Sequence, residues 1–275
     1  MAAFFFYGRD MRILGILNIT TDSFSDGGKF LAVDAALAQA RTLAQDGAHT
    51  IDIGAASSNP NSQPVDAATE IARLAAIVPT LKAQGLSLSI DTFATDVQRW
   101  AMAQGVDYLN DIHGFADDRL YPELAASSAK LIVMHMVQDR GVAVPMDVPP
   151  AQIYDRVCAF FDARLAALDM GGIGRDRLIL DPGMGQFVGA DPQNSLILLR
   201  RIPDLKKRYG LPVLISVSRK GFLRKLTGRG LDDIGPATLT AELFAQAQGA
   251  DLVRTHAPGP LRDGVKILKS LENSR

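Results

Sequence analysis

Residues 13–18 read Ile-Leu-Gly-Ile-Leu-Asn, an apolar run that stops at the amide of Asn18. Five more runs share this form. LSLSID (86–91) stops at Asp91, and VDYLND (106–111) at Asn110 and Asp111. LILD (178–181) stops at Asp181, PVLISVSRK (212–220) at Ser218, Arg219 and Lys220, and ADLVRTH (250–256) at Arg254 and His256. Strands covered by helices on their outer faces read as near-continuous apolar runs. Polar residues at the ends of such strands share one face of a parallel sheet.

Working outward, strands are expected over 12–19, 50–53, 86–91, 107–110, 130–135, 178–181, 212–217 and 251–255. Helical spacing separates them, as in Ile71-Leu74-Ile77-Val78-Leu81 and Val157-Phe160-Phe161-Leu165. Gly47, Gly85, Gly105, Gly210 and Gly249 stand where left-handed helix ends are expected. Eight strands, each followed by a helix, favour a closed (β/α)8 barrel over an open doubly wound sheet. The 275 residues suit one such barrel, and no linker-like stretch divides them, so residues 1–275 are expected to form one domain. Three long loops leave the expected carboxyl ends of strands: 20–29, 54–66 and 138–150. Active sites of such barrels lie on that face. The run from Phe4 to Tyr7 is expected to plug one barrel end.

Composition narrows the function. A formal charge of -1 argues against nucleic acid held by bulk charge. The FFFY run is too short for a membrane span or signal core. Cys158 is the only cysteine, which removes an intrachain disulfide and a cysteine-rich zinc site. A cytoplasmic location is the expectation.

Polar strand ends also cap helices and satisfy backbone groups. Six together, of different chemistry on one face, point instead to a polar ligand with negative charge. Asp91 and Asp181 can each accept paired N–H bonds from an amidine-like edge. Asn110 offers donor and acceptor, Lys220 can donate to a ring carbonyl or phosphate, and Asp111 is read as orienting a neighbour. Ser218 can help receive a carboxylate, and Arg219 is expected to form a structural ion pair. Arg254 and His256 share a strand face, with Thr255 turned away. His135 can face either side. Metalloprotease, hydrolase-elbow and Walker motifs are missing from the sequence.

The segments ILGILNITTDSFSDGG, DIGAASSNP, SIDT, NDI, VMHM, LILDPGMG, SVSRKGF and VRTH, in this order, resemble the dihydropteroate synthases of the pterin-binding TIM-barrel family. The resemblance implies condensation of 6-hydroxymethyl-7,8-dihydropterin diphosphate with p-aminobenzoate, giving 7,8-dihydropteroate and pyrophosphate. It implies that Asp91, Asn110, Met134, Asp181, Lys220 and Arg254 contact the pterin, and that Asp91, Asp181, Lys220 and Arg254 serve catalysis. Asn18, Arg254 and His256 would bind the diphosphate, with Mg²⁺ near Asn18. Ser58, Pro60, Gln186, Phe187 and Ser218 would lie near p-aminobenzoate. A homodimer through the last helices is implied too.

Several positions depart from the common family pattern. Ala56 and Asn59 stand where Glu and Arg are usual, Thr21 where Pro is usual, and MGQFVG where FGFGK is usual. These loops are most similar to the sulfonamide-insensitive type, although Gln186 and Gly221 differ there from the usual Phe and Ser. A Phe187 wedge would exclude the longer drug and spare the substrate. Corrinoid-linked methyltetrahydrofolate methyltransferases share the fold but need no diphosphate site, which the SRK and RTH cations favour. A pterin-binding protein without turnover is a further alternative. A phosphosugar enzyme is disfavoured because no candidate catalytic Lys or Glu ends an interior strand.

Overall fold

Side chains alternate along a strand, so residues two apart share a face. In β1 (Arg12–Asn18) this sorts Leu14, Ile16 and Asn18 from Ile13 and Leu17. The computed structural model describes residues 11–19, 29–56, 65–138 and 146–274. Its other strands are β2 (Thr50–Gly54), β3 (Leu88–Asp91), β4 (Tyr108–Asp111), β5 (Lys130–Met134), β6 (Leu178–Asp181), β7 (Leu214–Ile215) and β8 (Leu252–Thr255). They form one parallel sheet in the order β6-β5-β4-β3-β2-β1-β8-β7. A parallel bridge between Leu180 and Val213 brings its ends together. The architecture is the expected (β/α)8 barrel.

Two apolar layers follow from the alternation. Leu14, Tyr108, Ile132, Ile179, Leu214 and Leu252 pack together inside the barrel. The other parity, including Ile13, Leu17, Ile51, Ile53, Leu109, Val133 and Val253, packs outward in the larger core. Both faces are therefore buried, which is why the strands read as continuous apolar runs.

The helices are α1 (Lys29–Gln45), α2 (Ala67–Ala75), α3 (Val78–Ala83), α4 (Thr95–Ala103), α5 (Tyr121–Ala126) and α6 (Pro150–Met170). They continue with α7 (Pro192–Arg200), α8 (Ile202–Tyr209), α9 (Gly221–Thr227), α10 (Gly235–Ala247) and α11 (Pro258–Asn273). Some units thus hold two helices where one was expected. Pro79 and Pro203 start α3 and α8, positions where a missing N–H does no harm. The five glycines expected at helix ends all have positive φ. At Gly210 (φ 64) the residue is the left-handed cap of α8, a conformation costly for residues with a Cβ.

Strand 7 is shorter than the expected 212–217. Lys220 N–H donates to Val217 O at 3.1 Å, and Arg219 takes φ 59. This turn ends the ladder early and redirects Ser218-Arg219-Lys220 across the barrel mouth. Phe4–Tyr7 and most of the three long loops lie outside the described residues.

Candidate active site

Parity places the polar strand endings. Asn18, Asp91, Asn110, Met134, Asp181 and Arg254 fall on the same alternation as the interior apolar layer below them. Register fixes neighbours: Asp91 pairs with Asn110, and Met134 with Asp181. Asn110 and Asp181 are each only 3% exposed, and Asn110 Oδ1 has no hydrogen-bond partner among the described residues. A buried amide oxygen without a donor is costly, so it marks a place for a ligand N–H.

Asp181 accepts one bond, from Gly183 N–H to Oδ1 at 2.8 Å. Gly183 must be glycine: its φ is 75°, and a Cβ there would come 2.4 Å from His135 O. Burial pushes the Asp181 carboxyl up to about 6, although Gly183 N–H and Lys220 favour the ionised form. Burial likewise raises Asp91 to about 7, opposed by Arg254. Burial, then the Arg254 charge, lowers Lys220 to about 8, opposed by Asp181 and Asp91. The pocket therefore gathers two carboxyls shifted up and an ammonium shifted down by burial, toward neutral pH.

Arg254, expected at the pterin and the diphosphate, is paired with two carboxylates. Its Nε lies 2.5 Å from Asp52 Oδ2, and its Nη2 lies 2.5 Å from Asp91 Oδ2. Burial alone would lower its pKa, yet these carboxylates hold it above the ordinary value. Asp52 escaped the sequence reading. The signal was a carboxylate inside the apolar TIDIG run, on the interior parity.

His256 is neutral at neutral pH. Burial and then the charges of Arg219, Arg254 and Lys220 depress it to about 3. Its Nδ1 lies 3.0 Å from Ser218 Oγ, so Ser218, expected near p-aminobenzoate, is joined to His256, expected at the diphosphate. Arg219 corrects another expectation. The residue is exposed and makes no ion pair among the described residues, and its charge acts on His256 instead.

The expectation for Gln186 and Phe187 divides. Phe187 is buried against Ile112, Met134 and Met136, with Lys220 Nζ 4.6 Å from its ring centroid. Gln186 is exposed and lines a cavity of about 350 Å³ with Gly185, Ala190, Gly221, Phe222 and Arg224. Asn18 is exposed at its strand tip, its Oδ1 above Gly54. Ser58, Pro60 and Asn59 lie outside the described residues.

Asp111 does orient its neighbours, and the structure decides which way His135 faces. Asp111 faces outward and accepts from Gln98 Nε2 (2.9 Å), His113 N–H (2.7 Å) and Phe115 N–H (3.0 Å), tying down the segment after β4. His135 is buried, with Nδ1 3.0 Å from Pro182 O, and burial lowers it to about 4. It braces the Asp181 turn.

This constellation defines a barrel site for a nitrogen-rich ring, and comparison places it. Residues 14–256 match the family described as pterin binding enzyme. The chain is 56% identical over 266 residues to dihydropteroate synthase type-2 of Escherichia coli, covering 97% of this chain and 98% of the relative. It is 46% identical to the type-3 enzyme of Escherichia coli, covering 94% and 99%. A structure of Xanthomonas albilineans dihydropteroate synthase with 4-aminobenzoic acid superposes with a TM-score of 0.86 at 34% identity, covering 96% of this chain and 94% of that one. An Anaplasma phagocytophilum dihydropteroate synthase with bound 6-hydroxymethylpterin-monophosphate gives 0.85 at 35% identity, covering 94% and 98%. The chain belongs to the pterin-binding enzyme family. Its activity is that of a dihydropteroate synthase, a transferase of folate biosynthesis.

Proposed function

We propose that the barrel mouth binds the pterin ring edge through Asp91, Asn110, Asp181 and Lys220, and that pyrophosphate leaves before the arylamine attacks. The observation that carries this reading is the buried Asn110 Oδ1, without a hydrogen-bond partner among the described residues, beside Asp91, which together with Asp181 acts on Lys220. A ring bearing a 2-amino group and ring N–H offers donors to the carboxylates and amide. Lys220 donates to the ring carbonyl. Met134, backed by Phe187, packs on the ring face.

No side chain need act as a nucleophile. As the leaving group departs, positive charge spreads over the ring and methylene, and Asp91 and Asp181 stabilise it. Orientation of the amine does the rest. Arg254 turns part of its guanidinium from Asp91 toward the diphosphate, while Asp52 keeps its stem in place. His256 donates a neutral N–H to the same anion.

Mg²⁺ fits here only in part through protein atoms. The described residues hold no cluster of three or more His, Cys, Asp or Glu that could bind a metal. The Asn18 amide oxygen is a suitable hard ligand, and Mg²⁺ commonly takes its remaining ligands from substrate phosphates and water. When bound, the ion would neutralise charge on the leaving diphosphate.

p-Aminobenzoate fits the Gln186-lined cavity beside Lys220. Phe187 is buried in one cluster with Ile112, Met134 and Met136, which restrains its ring. That rigidity supports exclusion of sulfonamides, which extend beyond the substrate's volume. An apolar groove of about 440 Å³ between α7, α9 and α10, lined by Leu196, Leu199, Phe222, Leu223 and Phe244, supports a homodimer through these helices. A cytoplasmic location belongs to the same reading; among the described residues no helix is long and apolar enough to cross a membrane.

The test is turnover. Mixing pterin diphosphate with p-aminobenzoate should release pyrophosphate and dihydropteroate in equal amounts. Tight pterin binding without pyrophosphate release would favour a binding protein instead.

A further inference from the structure

Gln98 lies on α4, outside the barrel, yet it is only 1% exposed. A buried amide needs partners for its N–H groups. Gln98 Nε2 donates to Thr92 O at 3.0 Å and to Asp111 Oδ2 at 2.9 Å. Thr92 O is a carbonyl and can only accept, so the nitrogen end of the amide must face it. Both protons of one side chain thus grip two segments of chain.

Those segments carry two of the polar strand endings. Thr92 follows Asp91, and Asp111 follows Asn110. Alternation turns Asp91 and Asn110 into the barrel and Asp111 outward. The β3–β4 ladder pairs Ser89, Ile90 and Asp91 with Tyr108, Leu109 and Asn110. One more bond, from Thr92 N–H to Asn110 O at 2.9 Å, continues its pattern. In a longer parallel ladder the next donor to Thr92 O would be Ile112 N–H. Gln98 Nε2 donates there instead.

The chain after Asp111 turns, with Gly114 N–H donating to Asp111 O at 2.9 Å. The turn puts Phe115 at φ 62, a left-handed conformation that is costly for a residue with a Cβ. Phe115 N–H shares Asp111 Oδ2 with Gln98. One helix side chain therefore completes the sheet where it opens into the site, and also steadies the carboxylate that holds the strained turn.

Asn110 depends on this support. Its Oδ1 has no hydrogen-bond partner among the described residues, so the aim of that oxygen follows its backbone. Asp91 is held from inside, with Arg254 Nη2 2.5 Å from its Oδ2. The spacing between the two groups is set by how firmly residues 91–92 and 110–111 are joined.

We propose that Gln98 is a positioning residue for ring recognition: from behind the sheet it fixes Asn110 relative to Asp91, so that both meet one edge of the ring. The proposal rests on the assignment of Asp91 and Asn110 to the pterin edge.

Kinetics of the full chain with both substrates, joined to calorimetric titration with a pterin, test it. Gln98→Met keeps the length and removes the donors. It should raise KM for the pterin diphosphate, and Kd for the pterin, about threefold to tenfold, the worth of roughly one hydrogen bond. KM for p-aminobenzoate should not move, because the cavity lined by Gln186, Gly221 and Arg224 includes no residue of α4, β3 or β4. Gln98→Asn draws the donor back by a methylene. It should give the same split and serves if Gln98→Met does not fold. Unchanged pterin KM and Kd in the folded variants overturn the proposal. So do equal rises in both KM values, the mark of a general loosening. Asn110→Ala separates the proposal from the reading beneath it. If that variant binds the pterin normally, the ring-edge assignment fails and the proposal with it. If it binds weakly while the Gln98 variants bind normally, the proposal alone fails.

Discussion

Arg254 Nε lies 2.5 Å from Asp52 Oδ2 inside the barrel, joining the last strand to the second across β1. Asp52 is fully buried and makes its ion pair only with Arg254 among the described residues. Removing Asp52 leaves the buried guanidinium with Asp91 alone and its Nε without a carboxylate. Asp52→Ala should therefore cost about 3 kcal/mol of stability. Urea unfolding measures this; a loss no larger than that of a surface substitution would show that Arg254 finds another partner.

Asp181→Ala should weaken pterin binding about 100-fold, since two charge-assisted bonds to the ring edge vanish together. Calorimetric titration with a pterin checks it. A near-normal Kd would remove Asp181 from the ring edge.

Pterin affinity should follow a bell in pH. Affinity rises as Asp181 and Asp91 lose protons near 6 and 7, because their ionised forms accept from the ring. It falls above about 8 as Lys220 loses its proton. Lys220→Gln should remove the alkaline fall and keep the acid one. For stability the signs oppose each other. The raised carboxylates bind protons more tightly when folded, so they favour folding at low pH and lose that contribution as pH rises from about 4 to 7. His256 and His135, lowered to about 3 and 4, do the reverse: their contribution is present above about 6.5 and is lost as pH falls through the folded values.

Phe187→Ala should tighten sulfonamide inhibition more than it changes KM for p-aminobenzoate. Equal changes would show that the ring only supports Met134.

Chelation of Mg²⁺ should raise KM for the pterin diphosphate and leave that for p-aminobenzoate unchanged. Asn18→Ala should weaken the dependence on added Mg²⁺. A metal-independent KM would exclude the ion from the leaving-group end.

Much of this was legible in the chain. Six apolar runs with polar ends, among eight expected strands, put Asn18, Asp91, Asn110, Asp181 and Arg254 at one mouth of the barrel. Asp111 was read correctly as an orienting group. The glycines at 47, 85, 105, 210 and 249 marked helix ends, because only a residue without a Cβ takes positive φ at little cost.

Partnership was not legible. Arg254 and Asp52 stand 202 positions apart, and local periodicity carries no information about which strand tips meet. Barrel closure sets β1 between β2 and β8, and only then does Arg254 face two carboxylates. The same closure sets Lys220 over Phe187 and brings Ser218 to His256. What the residues determined alone was the side each strand tip faces, since that follows from backbone geometry. What tertiary structure decided was the charge each tip carries, since burial and neighbours across the barrel set it.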